Sequence, residues 1–170
     1  MMADREVRQR DAEAWAILLD ENGNLCEGLG STLFIVRDGR LSTPRERYVL
    51  PGVSRANVMR LAGEAGIDCR EADIDPFDAY GADEAFVTST SLCMAPIASV
   101  DGRTLGSAAP GPVTARLIDA YQAFLGFDFV EQYPRRLNQP SLLAIDRCGP
   151  ADTGRQAGKR APTATIIKGT

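Results

Sequence analysis

Leu50-Pro51-Gly52-Val53-Ser54-Arg55 is the stretch that most constrains this chain. A Pro-Gly pair makes a tight turn, and Val58, Leu61, Ala62 and Ala65 follow it at the spacing of one helix face. A helix therefore opens here, with Ser54 as N-cap or first-turn residue. The amides of Val53 and Ser54 then point out of a helix N-terminus, where the dipole favours an anion and above all a phosphate. An ordinary turn before an ordinary helix has the same letters, so the flanking sequence must decide.

Upstream, residues 1–14 read as a polar helix or the end of one, and the short apolar run 15–19 reads as a buried strand. Asn22-Gly23 marks the turn after it. Gly28 and Gly30 flank Leu29 and point to a close backbone approach. They do not make a dinucleotide fingerprint, because Leu33 takes the third glycine position and a strand, 32–36, follows. Arg37-Asp38-Gly39-Arg40 is a second hairpin turn, and 41–44 begins the returning strand.

Downstream, 67–72 alternates like a half-buried strand, and 75–80 reads as a short helix capped by Asp75. Strands at 84–88 and 94–98 flank Ser89-Thr90-Ser91-Leu92-Cys93. Pro110-Gly111-Pro112 opens the last helix, whose positions Val113, Leu117, Ala120, Tyr121 and Phe124 keep helical spacing up to Gly126. From Asn138 the composition shifts to Pro, Gly, Thr and Arg, and 138–170 is expected to be a poorly ordered extension, with 141–145 able to pack. Strands and helices alternate in an α+β manner.

The chain has 170 residues, enough for one domain with a real core. Its net charge of -4 and lack of a basic run argue against nucleic acid as a partner. It has no histidine, so Ser-His-Asp and Cys-His catalysis and histidine metal sites need another chain, and no metal is expected. Cys26, Cys69, Cys93 and Cys148 form no C-x-x-C pair and read as reduced thiols of a cytoplasmic protein. The charged start (Asp4, Arg5, Glu6) lacks a signal-peptide core, and no apolar run reaches the length of a membrane span.

Residues from about 15 to 136 resemble the C-terminal half of fold-type IV pyridoxal-phosphate enzymes, the group of branched-chain and D-amino acid aminotransferases and aminodeoxychorismate lyase. The matching pieces stand in the family's order: Leu19-Asp20-x-x-Gly23, Glu27-Gly28-x-Gly30-Ser31, Asp38-Gly39 and Leu50-Pro51-Gly52-Val53-Ser54-Arg55. Ala82-Asp83-Glu84, Thr88-Ser89-Thr90, Pro96, Asp101-Gly102 and Gly111-Pro112-Val113-Thr114 follow. The resemblance implies the large domain of the D-amino acid aminotransferase-like fold over 15–137, a remnant of the preceding helix over 1–14, and pyridoxal 5'-phosphate (PLP) as cofactor. It implies that Glu27 bonds the cofactor's ring nitrogen, that the Val53 and Ser54 amides and the Thr90 hydroxyl hold its phosphate, and that the Ser91 and Leu92 amides lie near the substrate carboxylate. Without the resemblance, Glu27 reads as a surface hairpin residue and Thr88-Ser89-Thr90 as a strand end.

The implied activity, in full-length form, is amino-group transfer between an amino acid of branched-chain or D type and a 2-oxo acid, in a homodimer. A lyase on the same site and a non-catalytic fragment or assembly module stay open; Phe86-Val87-Thr88-Ser89-Thr90 leans toward the aminotransferases. The pattern departs from the family at Thr32, where asparagine is usual. The family's Schiff-base lysine lies upstream of the strand matched by 15–19, whereas the lysines here are Lys159 and Lys168 in the tail. No catalytic lysine is therefore expected in this chain, and the chain alone is expected to turn over near the level of free PLP.

Overall fold

The structure, a computed structural model, describes residues 2–10, 14–130 and 164–169. Helix α1 (Met2–Arg10) leads into strands β1 (Ala14–Leu19), β2 (Leu25–Gly28), β3 (Ser31–Arg37) and β4 (Arg40–Pro44). A 3-10 turn (Glu46–Tyr48) precedes α2 (Val53–Glu64), β5 (Cys69–Ala72) and α3 (Pro76–Tyr80). Then come β6 (Glu84–Ser89), β7 (Cys93–Val100), β8 (Arg103–Thr104), α4 (Pro112–Leu125) and β9 (Ala164–Gly169). The α+β expectation holds, and Asp75 caps α3 through a reciprocal pair of hydrogen bonds with Asp78.

The strands run in the order β2-β1-β9-β7-β6-β3-β4-β5, and β2 also pairs with β3. That extra pairing closes β1, β2, β3, β6, β7 and β9 into a ring. Strand β3 is split along one edge: its first residues face β2 (Glu27↔Thr32, Gly28↔Ser31) and its last face β4 (Ile35↔Ser42, Arg37↔Arg40). The β2–β3 turn is tight enough that a Cβ on Gly28 would fall 2.5 Å from the Ser31 hydroxyl, which would have to turn away.

Alternation along the strands divides the core. Ile17, Leu33, Ile35, Ala85, Val87 and Ile97 pack on one face. Phe34, Val36, Phe86 and Met94 turn to the other, against Val58 and Leu61 of α2 and Leu117 and Tyr121 of α4. The register pair Phe34↔Phe86 stacks with ring centroids 5.0 Å apart. Helix α1 lies over Ala14 and Ala16 through Val7. Cys26, Cys69 and Cys93 are free thiols, and burial pushes the first two up to about 11.

The tail expectation is corrected at its end. Residues 164–169 are a strand between β1 and β7, with Lys168 opposite Ala14 and Ser99. The run Ala164-Thr165-Ile166-Ile167 is rich in β-branched residues and suits a pleated sheet; the Gly, Pro and Arg residues before it masked that signal. The premise that Lys168 sits in a loose tail therefore fails. The 141–145 segment, Cys148 and Lys159 lie outside the described residues.

Two motifs far apart in sequence meet at the start of α4. Glu84, buried in β6, accepts the Val113 amide at 2.9 Å and the Thr114 amide at 2.7 Å. Gly111, the N-cap, supplies no side-chain cap, and a Cβ there would collide with the Glu84 carboxylate. Glu84→Ala removes both charge-assisted bonds and leaves one buried and one part-buried amide unpaired. It is expected to cost about 2–4 kcal/mol of stability, read as a lowered urea midpoint; a wild-type midpoint would show that α4 holds its place by packing alone.

Candidate active site

The opening of α2 is unusually bare. Its N-cap, Gly52, is extended (φ -72°, ψ 139°), no side chain caps the helix, and no acid stands in its first turn. The first intrahelical bond runs from Ala56 to the Gly52 carbonyl at 3.0 Å. The amides of Val53, Ser54 and Arg55 precede that bond and point out of the helix start. Ser54 is a first-turn residue and not the cap. Val53 is 76% exposed and Ser54 is buried.

Glu27 reaches this loop from β2. Its Oε2 accepts the Leu50 amide at 3.0 Å, and among the described residues its other oxygen takes no hydrogen bond. One bond thus ties Glu27 to the loop that leads into α2. Glu27 stands half-buried on the β2–β3 hairpin, with its carboxylate held by the Leu50 amide.

Arg55 anchors the helix start from below. This buried side chain donates from Nη2 to the Pro44 carbonyl at 3.0 Å and to Glu71 Oε1 at 2.7 Å. Its Nε is buried and makes no hydrogen bond. The bond from Arg55 is the main cause of a lowered Glu71 pKa, opposed by partial burial. A cation in the first turn works against the helix dipole, and Glu71 offsets it.

The β6–β7 turn carries the other expected residues. Ser89↔Cys93 closes it around Thr90, Ser91 and Leu92, and Cys93 takes a left-handed conformation at φ +55°. The Leu92 amide donates to Ser89 Oγ at 3.0 Å, and Ser89 and Ser91 share hydroxyl contact at 3.3 Å. The Leu92 amide is therefore engaged inside the turn. Thr90 is exposed at the tip, and among the described residues no hydrogen bond joins it to α2. Ser91 and Leu92, with Ser31, Ser89, Trp15 and Arg8, line a cavity of about 140 Å³.

Arg8, Ser89 and Arg55 were not singled out from sequence. Arg8 is one of several arginines in a polar helix, with nothing local to set it apart. Arg55 sat inside the recognised motif, but its partners come from Pro44 and Glu71, which only folding brings near.

Known proteins share both the sequence and the fold. The family described as amino-transferase class IV matches residues 1–100. A branched-chain-amino-acid aminotransferase of Pseudomonas aeruginosa is 42% identical over 121 residues, 71% of this chain and 39% of that protein. The protein of the same description from Escherichia coli (strain K12) is 43% identical over 111 residues, 65% of this chain and 35% of its own length. Among solved structures, the branched-chain amino acid aminotransferase from Escherichia coli superposes with a TM-score of 0.67 at 40% identity, over 73% of this chain and 41% of that one. The putative branched-chain amino acid aminotransferase from Thermotoga maritima gives 0.62 at 35% identity, over 68% and 42%. This chain thus spans about two-fifths of the length of these relatives.

The Arg55–Glu71 pair makes a pH signature. A lowered folded pKa contributes stability that is fully present above the ordinary glutamate value of 4.5 and is lost as pH falls through the folded value. Wild type is expected to lose urea stability more steeply on acidification than Glu71→Gln, which cannot ionise. Parallel slopes for the two proteins would mean that the pair adds nothing in solution.

Proposed function

Since this chain belongs to the amino-transferase class IV family, we propose that it forms the cofactor-binding part of an enzyme moving an amino group between an amino acid and a 2-oxo acid on PLP. The names of the relatives support branched-chain substrates. One observation carries the reading: the Leu50–Glu27 bond ties a carboxylate to the loop that opens α2. A partner for a ring nitrogen and a cradle for a phosphate are thereby held at one place.

The residues fit the cofactor. The α2 start has no cap and no first-turn acid to compete with a phosphate. Glu27 keeps one oxygen free to accept a hydrogen bond from a protonated pyridine nitrogen. In this reading the Val53 and Ser54 amides hold the phosphate, Thr90 adds its hydroxyl, and the Ser91 amide lies near the substrate carboxylate. Bound PLP supplies an electron sink for the charge left on the substrate's Cα. The work of Glu27 is to hold the proton on the ring nitrogen, which keeps that sink effective.

Leu50 and Val53, 68% and 76% exposed, border the site. Apolar side chains so placed support cover by a second protein surface, and we assign that role to a homodimer.

Val53→Pro tests the cradle. Gly52 is already extended, so proline fits the first helical position and removes one amide donor without breaking the helix. Calorimetry with pyridoxamine phosphate is expected to show an affinity loss of about tenfold or more, with an unchanged melting temperature and no effect on phosphate-free pyridoxamine. The proposal is refuted by wild-type protein that binds neither, or by folded Val53→Pro that binds as tightly as wild type.

A further inference from the structure

One carboxylate grips both ends of the stretch that opens α2. Glu71 stands on β5 beside Thr43 of β4. Its Oε2 accepts the Glu46 amide at 3.3 Å, and its Oε1 accepts Arg55 Nη2 at 2.7 Å. Arg55 Nη2 also reaches the Pro44 carbonyl at 3.0 Å. The chain thus leaves β4, runs out to Leu50 and returns to its starting point as the first turn of α2. Glu27 holds the far end of this excursion at the Leu50 amide.

Packing gives the tip little support. Leu50, Pro51 and Val53 are exposed, and Gly52 has no side chain to pack. A segment with few buried apolar contacts keeps its shape through its polar joints. The Val53 and Ser54 amides lie between the joints at Leu50 and Arg55, so their direction depends on both. Such donors bind an anion well only when they converge before it arrives.

Charge and geometry predict opposite effects of Glu71. A negative charge behind the helix start repels an anion in front of it, so neutralising Glu71 by charge alone tightens binding. A carboxylate that aims the amides does the reverse, and its loss weakens binding. The double grip favours geometry. Glutamine keeps one acceptor for Arg55 but turns an amino group toward the Glu46 amide, donor against donor. The charge effect is also small, since Val53 leaves the cradle open to water and salt screens it.

We infer that Glu71 is a positioning residue for the α2 phosphate cradle, acting through Arg55 and the Glu46 amide and not by contact with the ligand. That the anion is the phosphate of a PLP-type cofactor rests on the amino-transfer reading.

The full chain carrying Glu71→Gln tests this by two measurements. Calorimetry with pyridoxamine phosphate is expected to show binding weaker by about fivefold or more. The ratio to wild type is expected to persist from about 0.01 M to about 1 M salt, a range over which a charge effect fades. Amide hydrogen exchange is expected to speed up in 45–55, while β6 keeps its wild-type protection and so shows that the variant is folded. A pair that only stabilised the fold would leave the affinity of the folded variant at its wild-type value. Should Glu71→Gln fail to fold, Glu71→Asp, which keeps the charge and shortens the reach, carries both measurements with the same expected signs. Tighter binding, wild-type affinity, a ratio that returns to unity at high salt, or unchanged exchange in 45–55 overturns the inference. Where wild type binds pyridoxamine phosphate, those results overturn this inference alone. Wild type that does not bind it overturns the amino-transfer reading, and the cradle with it.

Discussion

A guanidinium buried beneath the first turn of α2 fixes where that helix starts. Arg55 ties that turn to the end of β4 through the Pro44 carbonyl and to β5 through Glu71. Helix dipole and arginine together would place excess positive charge under the turn. Glu71 balances the arginine from below and leaves the outward amides free to meet an anion. The helix start is thus pinned in position and still open on its exposed side.

The same logic recurs at other joints. Carboxylates in strands or at their ends hold backbone amides of distant segments: Glu27 the amide of Leu50, Asp83 that of Asp38, Glu84 those of Val113 and Thr114. Each joint links two of the short motifs that carry the family resemblance. Their spacing in sequence looks arbitrary until the ring of strands brings the members of each pair together. Loss of either member leaves a polar group without its partner, which explains why such motifs come as sets.

The candidate site has two parts with different characters. At the α2 start, backbone amides and one half-buried carboxylate form an open, rigid cradle. At the mouth of the strand ring, hydroxyls, one indole and one arginine form a small cavity between the β2–β3 turn, the β6–β7 turn and α1. The left-handed Cys93 and the hydroxyl bonds of Ser89 hold the turn between them in shape. The first part lies on motifs that carry the family resemblance, whereas the wall of the second includes Arg8, from a helix whose sequence marks no role.

Local chemistry was legible in the letters. Pro-Gly before an apolar helix face, Asp75 as a cap, Asp38-Gly39 at a hairpin and the break at Gly126 depend on backbone preferences acting over a few residues. Sequence alone also determined the strand alternation that splits the core, and the family to which Glu27, Val53 and Ser54 point. The tertiary structure decided what needs partners from elsewhere: Glu71 under Arg55, Glu84 on α4, Ser89 taking the Leu92 amide, Arg8 in the cavity wall. It also decided the place of Ala164–Gly169, whose short β-branched run gains meaning only between β1 and β7. The physical reason is common to all of these. Propensity acts along the chain, whereas a hydrogen bond or a cavity depends on residues that the chain separates and only the fold brings within reach.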